Sequence, residues 1–382
     1  MHPLRILIAP DKFKGSLSAA DAAAAIAAGV RRAVPVATID QCPVADGGEG
    51  TVAALVAAMG GRTIIERVTG PLPEMKVDAA FGLLPGGVAV IEMASASGLA
   101  LVPPADRDPM ATTTFGTGQL LAAAARHGAQ RVILGIGGSA TIDGGIGCAQ
   151  AAGLTVLLAD GERVFDTEPL CGRDLERVVL IKHGRGGAVD RLTIEVACDV
   201  TNPLLGPNGA AHVYGPQKGA SAADVAWFDE KLKQLATRTG KLDVADRAGA
   251  GAAGGLGFAM TAYFNAQLRP GIEIVLDACR FRNRLANVDL CITGEGRLDA
   301  QTGRGKAVHG VAAACRAAGV PCIAIVGSIA DGCDPHDLGL AGCLSLVDEA
   351  TDVATAIRDA AALVDKRGED VARRYLAAAG QG

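Results

Sequence analysis

The sequence predicts an α/β protein of two domains: a Rossmann-like doubly wound domain built from both chain ends, and a second α/β domain inserted between them. Three observations predict it. At 382 residues the chain is longer than one ordinary core supports. Its apolar content, 49%, is carried by Ala, Val, Leu and Ile with only 3% aromatics, a mix that suits parallel sheets under Ala-rich helices. Strand-like runs alternate with helical stretches at both ends of the chain, whereas the middle departs from that rhythm.

Taken in order, Arg5-Ile-Leu-Ile-Ala9 is a short apolar strand, and Ser18 stands as the N-cap of an Ala-rich helix reaching about residue 33. A second strand over 36–39 leads into Pro43-Val-Ala-Asp-Gly-Gly-Glu-Gly50 and a helix over 51–59, which Gly60 and Gly61 stop. From 69 to 102 come shorter strand-like pieces, among them 88–92, separated by Pro and Gly. A Thr-rich turn over 112–117 precedes an Ala-rich helix to about 127, then the strand Arg131-Val-Ile-Leu134 and a glycine loop over 135–145. Residues 160–195 are more irregular and polar. Past 272 the alternation resumes, with strands expected over 272–276, 290–293 and 321–326 and helices over 305–318 and 351–365. The predicted domains are therefore 1–72 with 271–382, and 73–270.

Net charge is −5 with acids and bases interspersed, and no Lys/Arg stripe argues for a nucleic-acid partner. An anionic substrate would need local positive groups. No apolar run approaches the 18 or so residues that span a bilayer, and no signal-peptide layout precedes the first strand, so a cytoplasmic protein is expected. The ten cysteines include no C-x-x-C pair and no zinc spacing, and read as reduced, buried thiols.

Six polar loops follow strand candidates or precede helices, where open α/β sheets bind ligands. In Pro10-Asp-Lys-Phe-Lys-Gly-Ser16, Lys12, Lys14 and Ser16 offer positive charge and a hydroxyl to a phosphate or carboxylate. In Asp46-Gly-Gly-Glu-Gly-Thr51, Asp46 and Glu49 suit Mg²⁺ or a substrate hydroxyl, and equally suit a helix start whose dipole favours acids. The run from Gly135 to Gly145 opens as G-x-G-x-x-A, but Asp143-Gly-Gly-Ile-Gly147 breaks it where a dinucleotide fingerprint must open a helix. It reads more simply as an anion-binding nest with Ser139 and Thr141, and Asp143 close to a reacting phosphate. Asp199, after an expected strand over 193–197 and with Asn202 nearby, is well placed for a general base. Gly249-Ala-Gly-Ala-Ala-Gly254 repeats G-x-G-x-x-G with no strand before it, and helix packing explains it nearly as well. Residues 293–306 combine Glu295 and Asp299 with Arg297, Thr302 and Lys306, without the first Gly or the Ser/Thr of a Walker loop. Phosphoryl transfer needs such parts together: amides and cations around phosphates, carboxylates for metal, and a base for the attacking hydroxyl.

At these loops the sequence resembles the bacterial glycerate kinase family, of the glycerate 2-kinase type. The resemblance covers nearly the whole chain and rests on Ala9-Pro-Asp-Lys-Phe-Lys-Gly-Ser16, Pro43 to Thr51, Gly135 to Gly145, Asp199-Val-Thr-Asn-Pro-Leu204, Gly215-Pro-Gln-Lys-Gly219 and Thr293 to Lys306. Ile142 stands where the family usually has Asn before Asp-Gly-Gly. The resemblance implies ATP, Mg²⁺ and D-glycerate as ligands, 2-phosphoglycerate rather than 3-phosphoglycerate as product, and Lys218 as a binding residue. A homo-oligomer is compatible with it.

On that basis Lys12, Lys14 and Ser16 would hold phosphate or the glycerate carboxylate, and Asp46 and Glu49 metal or substrate hydroxyls. Ser139 and Thr141 would cradle the transferring phosphate, with Asn202 beside Asp199. Asp199 is the first choice for general base and Asp143 the second. Glu295 and Asp299 would hold metal, and Thr302 and Lys306 the nucleotide. A dinucleotide-dependent dehydrogenase and a non-catalytic α/β ligand-binding protein are the rival readings. The broken glycine segments weigh against the first, and the carboxylates and lysines in loops against the second.

Overall fold

The strand Arg5–Pro10 buries every residue after its first, as a strand covered on both faces must. It belongs to an all-parallel, five-stranded sheet in the order Gly342–Ser345, Cys322–Ile329, Leu290–Leu298, Arg5–Pro10, Thr38–Gln41. Numbered by chain order within this sheet, the arrangement is 2-1-3-4-5, a doubly wound order whose switch point falls between Arg5–Pro10 and Leu290–Leu298. The computed structural model describes residues 3–164, 168–182, 187–299, 306–350 and 352–379. Its contacts divide the chain into two units, one of Met1–Asp46, Ala53–Gly61 and Gly271–Gly382, the other of Gly47–Val52 and Arg62–Pro270.

In the first unit Ser18 caps the helix Ala19–Ala33 by accepting the Asp21 backbone N–H at 3.1 Å. This helix and Ala360–Ala379 pack on the sheet, burying Ile26, Val30, Val364 and Val371 against Ile6, Ile8, Leu290 and Ile292. Strand residues of the other parity, such as Leu7 and Cys291, are buried toward the opposite face. The two helices touch backbone to backbone: a Cβ on Gly29 would stand 1.9 Å from the Asp365 carbonyl oxygen. Arg32 closes the contact with bonds of 2.9 Å to both Asp365 and Glu369.

The expected strand over 272–276 is instead the helix Gly271–Ala278. Its β-branched residues suggested a strand, but Ile272 and Val275 bury at helical spacing, and Ile272 lies against Gly310 of the helix Ala307–Ala318. The expected helix over 351–365 is two helices, Val353–Arg358 and Ala360–Ala379.

The second unit holds a six-stranded sheet in the order Gln267–Arg269, Thr193–Ala197, Arg131–Gly135, Val88–Glu92, Lys76–Leu84, Arg62–Thr69. The first four strands are parallel and the last two antiparallel. The sequence pattern places residues 62–72 with the other domain. Here Arg62–Thr69 pairs along its full length with Lys76–Leu84, a local hairpin that outweighs the alternation seen upstream. A small antiparallel sheet of Arg163–Val164, Thr155–Leu158 and Val178–Lys182 completes the unit. Phe81, Phe228, Phe258 and Leu120 anchor its core. No helix among the described residues is long and apolar enough to cross a membrane.

Gly29→Ala separates two opposing effects. In an open helix the change favours folding by about 1 kcal/mol, but here the new methyl meets a backbone carbonyl that cannot rotate away. A net loss of about 1–3 kcal/mol is expected, read as a lower urea midpoint by circular dichroism; a gain would show that the helices do not pack this closely.

Candidate active site

In the second unit the strand Arg131–Gly135 runs into residues 136–145 and then the short helix Ile146–Ala151. Lys218, on the turn Pro216–Lys218, lies beneath this loop and is 2% exposed. Its ammonium donates to Ser139 Oγ and to the Thr141 carbonyl oxygen, both at 2.7 Å. Burial pushes the amine down to about 7, while the Asp143 carboxylate works in the opposite direction. The Thr141 hydroxyl is buried with no hydrogen-bond partner. An orphaned buried hydroxyl beside a buried amine marks a place where an oxygen-rich group can be received.

Asp143 is fully buried and its carboxylate is engaged. It accepts Thr114 N–H at 2.8 Å, Thr114 Oγ1–H at 2.7 Å and Gly145 N–H at 3.0 Å. Burial still raises its pKa, against these bonds. The Thr-rich turn read from sequence stitches the loop: Thr112 Oγ1 donates to the Ala140 carbonyl at 3.2 Å and Cys148 N–H to Thr114 Oγ1 at 2.9 Å. Ile142 is fully buried in the hydrophobic core, so the loop accommodates an apolar side chain at that position. The second G-x-G-x-x-G is a packing element: Gly254, at φ +65°, lies so close that a Cβ would be 1.9 Å from the Thr141 carbonyl oxygen. Gly144 N–H donates to the Gly254 carbonyl at 3.0 Å, fixing the two glycine segments together.

The strand Thr193–Ala197 pairs with Arg131–Gly135 so that Ala197 stands opposite Gly135. Asp199 and the glycine loop therefore leave the same edge of the sheet, and Asp199 is exposed there. Asn202 braces its own loop, donating from Nδ2 to the Asn208 carbonyl at 2.8 Å and accepting Tyr214 O–H at 2.7 Å. The segment 47–52 crosses this edge, since a Cβ on Gly135 would stand 2.2 Å from the Gly47 carbonyl oxygen. Glu92 Oε1 accepts Val52 N–H at 2.8 Å, leaving Glu49 on the exposed side of the segment.

In the first unit a group of acids forms at the switch point. Asp11 follows the central strand, is 8% exposed, and donates its backbone N–H to the Gly294 carbonyl at 2.8 Å. Its carboxyl is pushed up to about 7, first by burial, then by Asp46 and more weakly by Glu295. The sequence reading passed over Asp11; its signal was its place as the first acid after the first strand. Glu295 is buried near the end of Leu290–Leu298, whereas Asp46 is half-buried. Lys12 is half-buried, and Lys14 and Ser16 are exposed in a turn closed by Ser16 Oγ donating to the Phe13 carbonyl at 3.1 Å. Lys306 lies 4.0 Å from Asp299, and both are partly exposed. Thr302 lies outside the described residues.

A model described as the glycerate kinase family matches residues 6–376. The chain is 46% identical over 374 residues to a glycerate kinase of Bacillus subtilis (strain 168), with 97% of each chain covered. It is 44% identical over 363 residues to a glycerate 2-kinase of Escherichia coli (strain K12), with 94% of each covered. The crystal structure of a candidate glycerate kinase 2 from Salmonella typhimurium LT2 superimposes with a TM-score of 0.89 at 43% identity, covering 100% of both chains.

The buried amine of Lys218 has a measurable signature. Unfolded, Lys218 keeps its proton up to its ordinary 10.5, whereas folded it loses it near 7. Between those values the unfolded chain binds the extra proton, so this group makes stability rise with pH, and its full penalty is present below about 7. Lys218→Met should flatten the pH dependence of urea unfolding over that window by up to about 1.4 kcal/mol per pH unit. Equal slopes in both proteins would show that the folded protein keeps Lys218 charged.

Proposed function

The chain belongs to the glycerate kinase family, and from that premise we propose that it moves the γ-phosphate of ATP to the 2-hydroxyl of D-glycerate, giving 2-phospho-D-glycerate and ADP. Glycerate kinase activity, an ATP-dependent phosphotransfer, is the function of the family to which it belongs. The observation that carries the residue-level reading is the buried Lys218 amine with the orphaned Thr141 hydroxyl beneath the glycine loop. A γ-phosphate gathers charge on its oxygens during transfer, and preorganised donors in a dry site stabilise that charge without reorganising. Ser139, Thr141 and Lys218 would supply those donors. Proton uptake by Lys218 as the anion arrives fits an amine poised near neutrality.

Asp199, exposed at the adjoining strand end, would take the proton of the attacking hydroxyl. Asp143 would hold the loop's shape, because its oxygens already accept Thr114 and Gly145. Lys12, Lys14 and Ser16 would hold phosphate or the glycerate carboxylate, Glu49 a glycerate hydroxyl, and Asp299, Thr302 and Lys306 the nucleotide side. Asp11, Asp46 and Glu295 offer oxygen donors of the kind that suits Mg²⁺, a hard cation; burial first and then the charges of Asp46 and Glu295 raise Asp11, and a bound divalent ion would offset the latter. When bound, Mg²⁺ neutralises charge on the nucleotide phosphates. The ten free cysteines suit a reducing compartment, and we place the enzyme in the cytoplasm.

ADP release from ATP and Mg²⁺ is expected with D-glycerate and absent without acceptor. In the proton-coupled ³¹P spectrum a doublet marks phosphate on O2 and a triplet phosphate on O3, and the doublet is expected. No turnover with D-glycerate by folded protein would refute the substrate. Asp199→Asn should lower kcat by about 10²–10⁴-fold with the fold intact by circular dichroism; near-normal turnover would move the base elsewhere.

A further inference from the structure

Three cysteines that lie apart in the sequence meet inside the first unit. Cys291 is the second residue of Leu290–Leu298 and Cys322 the first of Cys322–Ile329, and the parallel register sets them side by side. Cys315 comes from the last turn of Ala307–Ala318, the helix that runs back across these two strands. The three sulfur atoms lie within 4.8 Å of one another. Cys291 and Cys315 have no exposed surface and Cys322 has 2%. Among the described residues no other group of three His, Cys, Asp or Glu side chains converges this way. Glu295 stands four residues beyond Cys291, about 13 Å along an extended strand. The cluster is thus at the amino end of the sheet, away from the acids at its carboxyl end.

We propose that Cys291, Cys315 and Cys322 form a binding site for a soft d¹⁰ cation in three-coordinate geometry, copper(I) being the one a reducing cell supplies. The donor set is all sulfur, which selects soft ions over Mg²⁺ or Ca²⁺. Zinc asks for four ligands, and among the described residues no fourth side chain of a ligating type joins the group. Copper(I) accepts three sulfurs with no water, which suits a pocket closed to solvent. The three thiols already hydrogen-bond to one another, Cys315 with both Cys291 and Cys322. Each thiol that ligates releases its proton to solvent with no change in oxidation state, so binding weakens in acid. A bound ion would join two neighbouring strands to the helix above them and should raise the thermal midpoint of the protein.

The test titrates reduced protein with copper(I) under argon, in competition with a coloured copper(I) chelator, beside Cys315→Ala and Cys322→Ala. The full chain should withdraw one equivalent more than either variant, with three Cu–S distances in the copper K-edge spectrum and a raised thermal midpoint. Two variants cover the case in which one fails to fold, and the spectrum of the unsubstituted protein stands without either. Equal uptake by all three proteins, a two-sulfur linear copper, or uptake only after unfolding in urea would overturn the site and leave the thiols as core filling.

Discussion

The parallel pairing of Arg5–Pro10 with Leu290–Leu298 is the constraint on which the first unit depends. It joins residues 284 positions apart, and Thr293 Oγ1 donates across it to the Ala9 carbonyl at 2.9 Å. On one side the chain continues through Ala19–Ala33 to Thr38–Gln41, and on the other through Ala307–Ala318 to Cys322–Ile329. Because crossover connections are right-handed, reversing the direction of winding sends the helices to opposite faces. It also leaves an opening between the carboxyl ends of the two central strands. Asp11 and Glu295 occupy those ends, so the acid group is a consequence of topology before it is a matter of chemistry.

The two units handle buried charge in opposite ways. In the second, the cost of burying an ammonium is met partly by Ser139 Oγ and the Thr141 carbonyl, and the remainder appears as a lowered pKa. In the first, burial and then the neighbouring charges of Asp46 and Glu295 raise Asp11.

Glycine served two purposes that look identical in a string of letters. Two segments matched a dinucleotide fingerprint, yet Gly254 exists to let one backbone lie on another. The Gly135–Gly145 loop, by contrast, has a buried amine and an unpaired hydroxyl beneath it. Only the groups that surround a glycine loop distinguish packing from binding. The same holds for Asp143: an acid among glycines suggests reactivity, while the bonds it accepts from Thr114 and Gly145 are visible only in the fold.

Much was legible in the order of residues because it depends on neighbours in the chain. Ser18 announces the helix it caps and Arg131 to Leu134 the strand they form. The family resemblance was legible because several loop strings stand in a fixed order. Periodicity misled at 272–276, where β-branched residues are used at helical spacing, and at 62–72, where a hairpin joins a different sheet. Asp11, the buried state of Lys218 and the meeting of Cys291, Cys315 and Cys322 were decided by tertiary structure alone. Burial, charge crowding and sulfur contacts are sums over residues distant in sequence, and no local pattern encodes a distance that only the closed sheet creates.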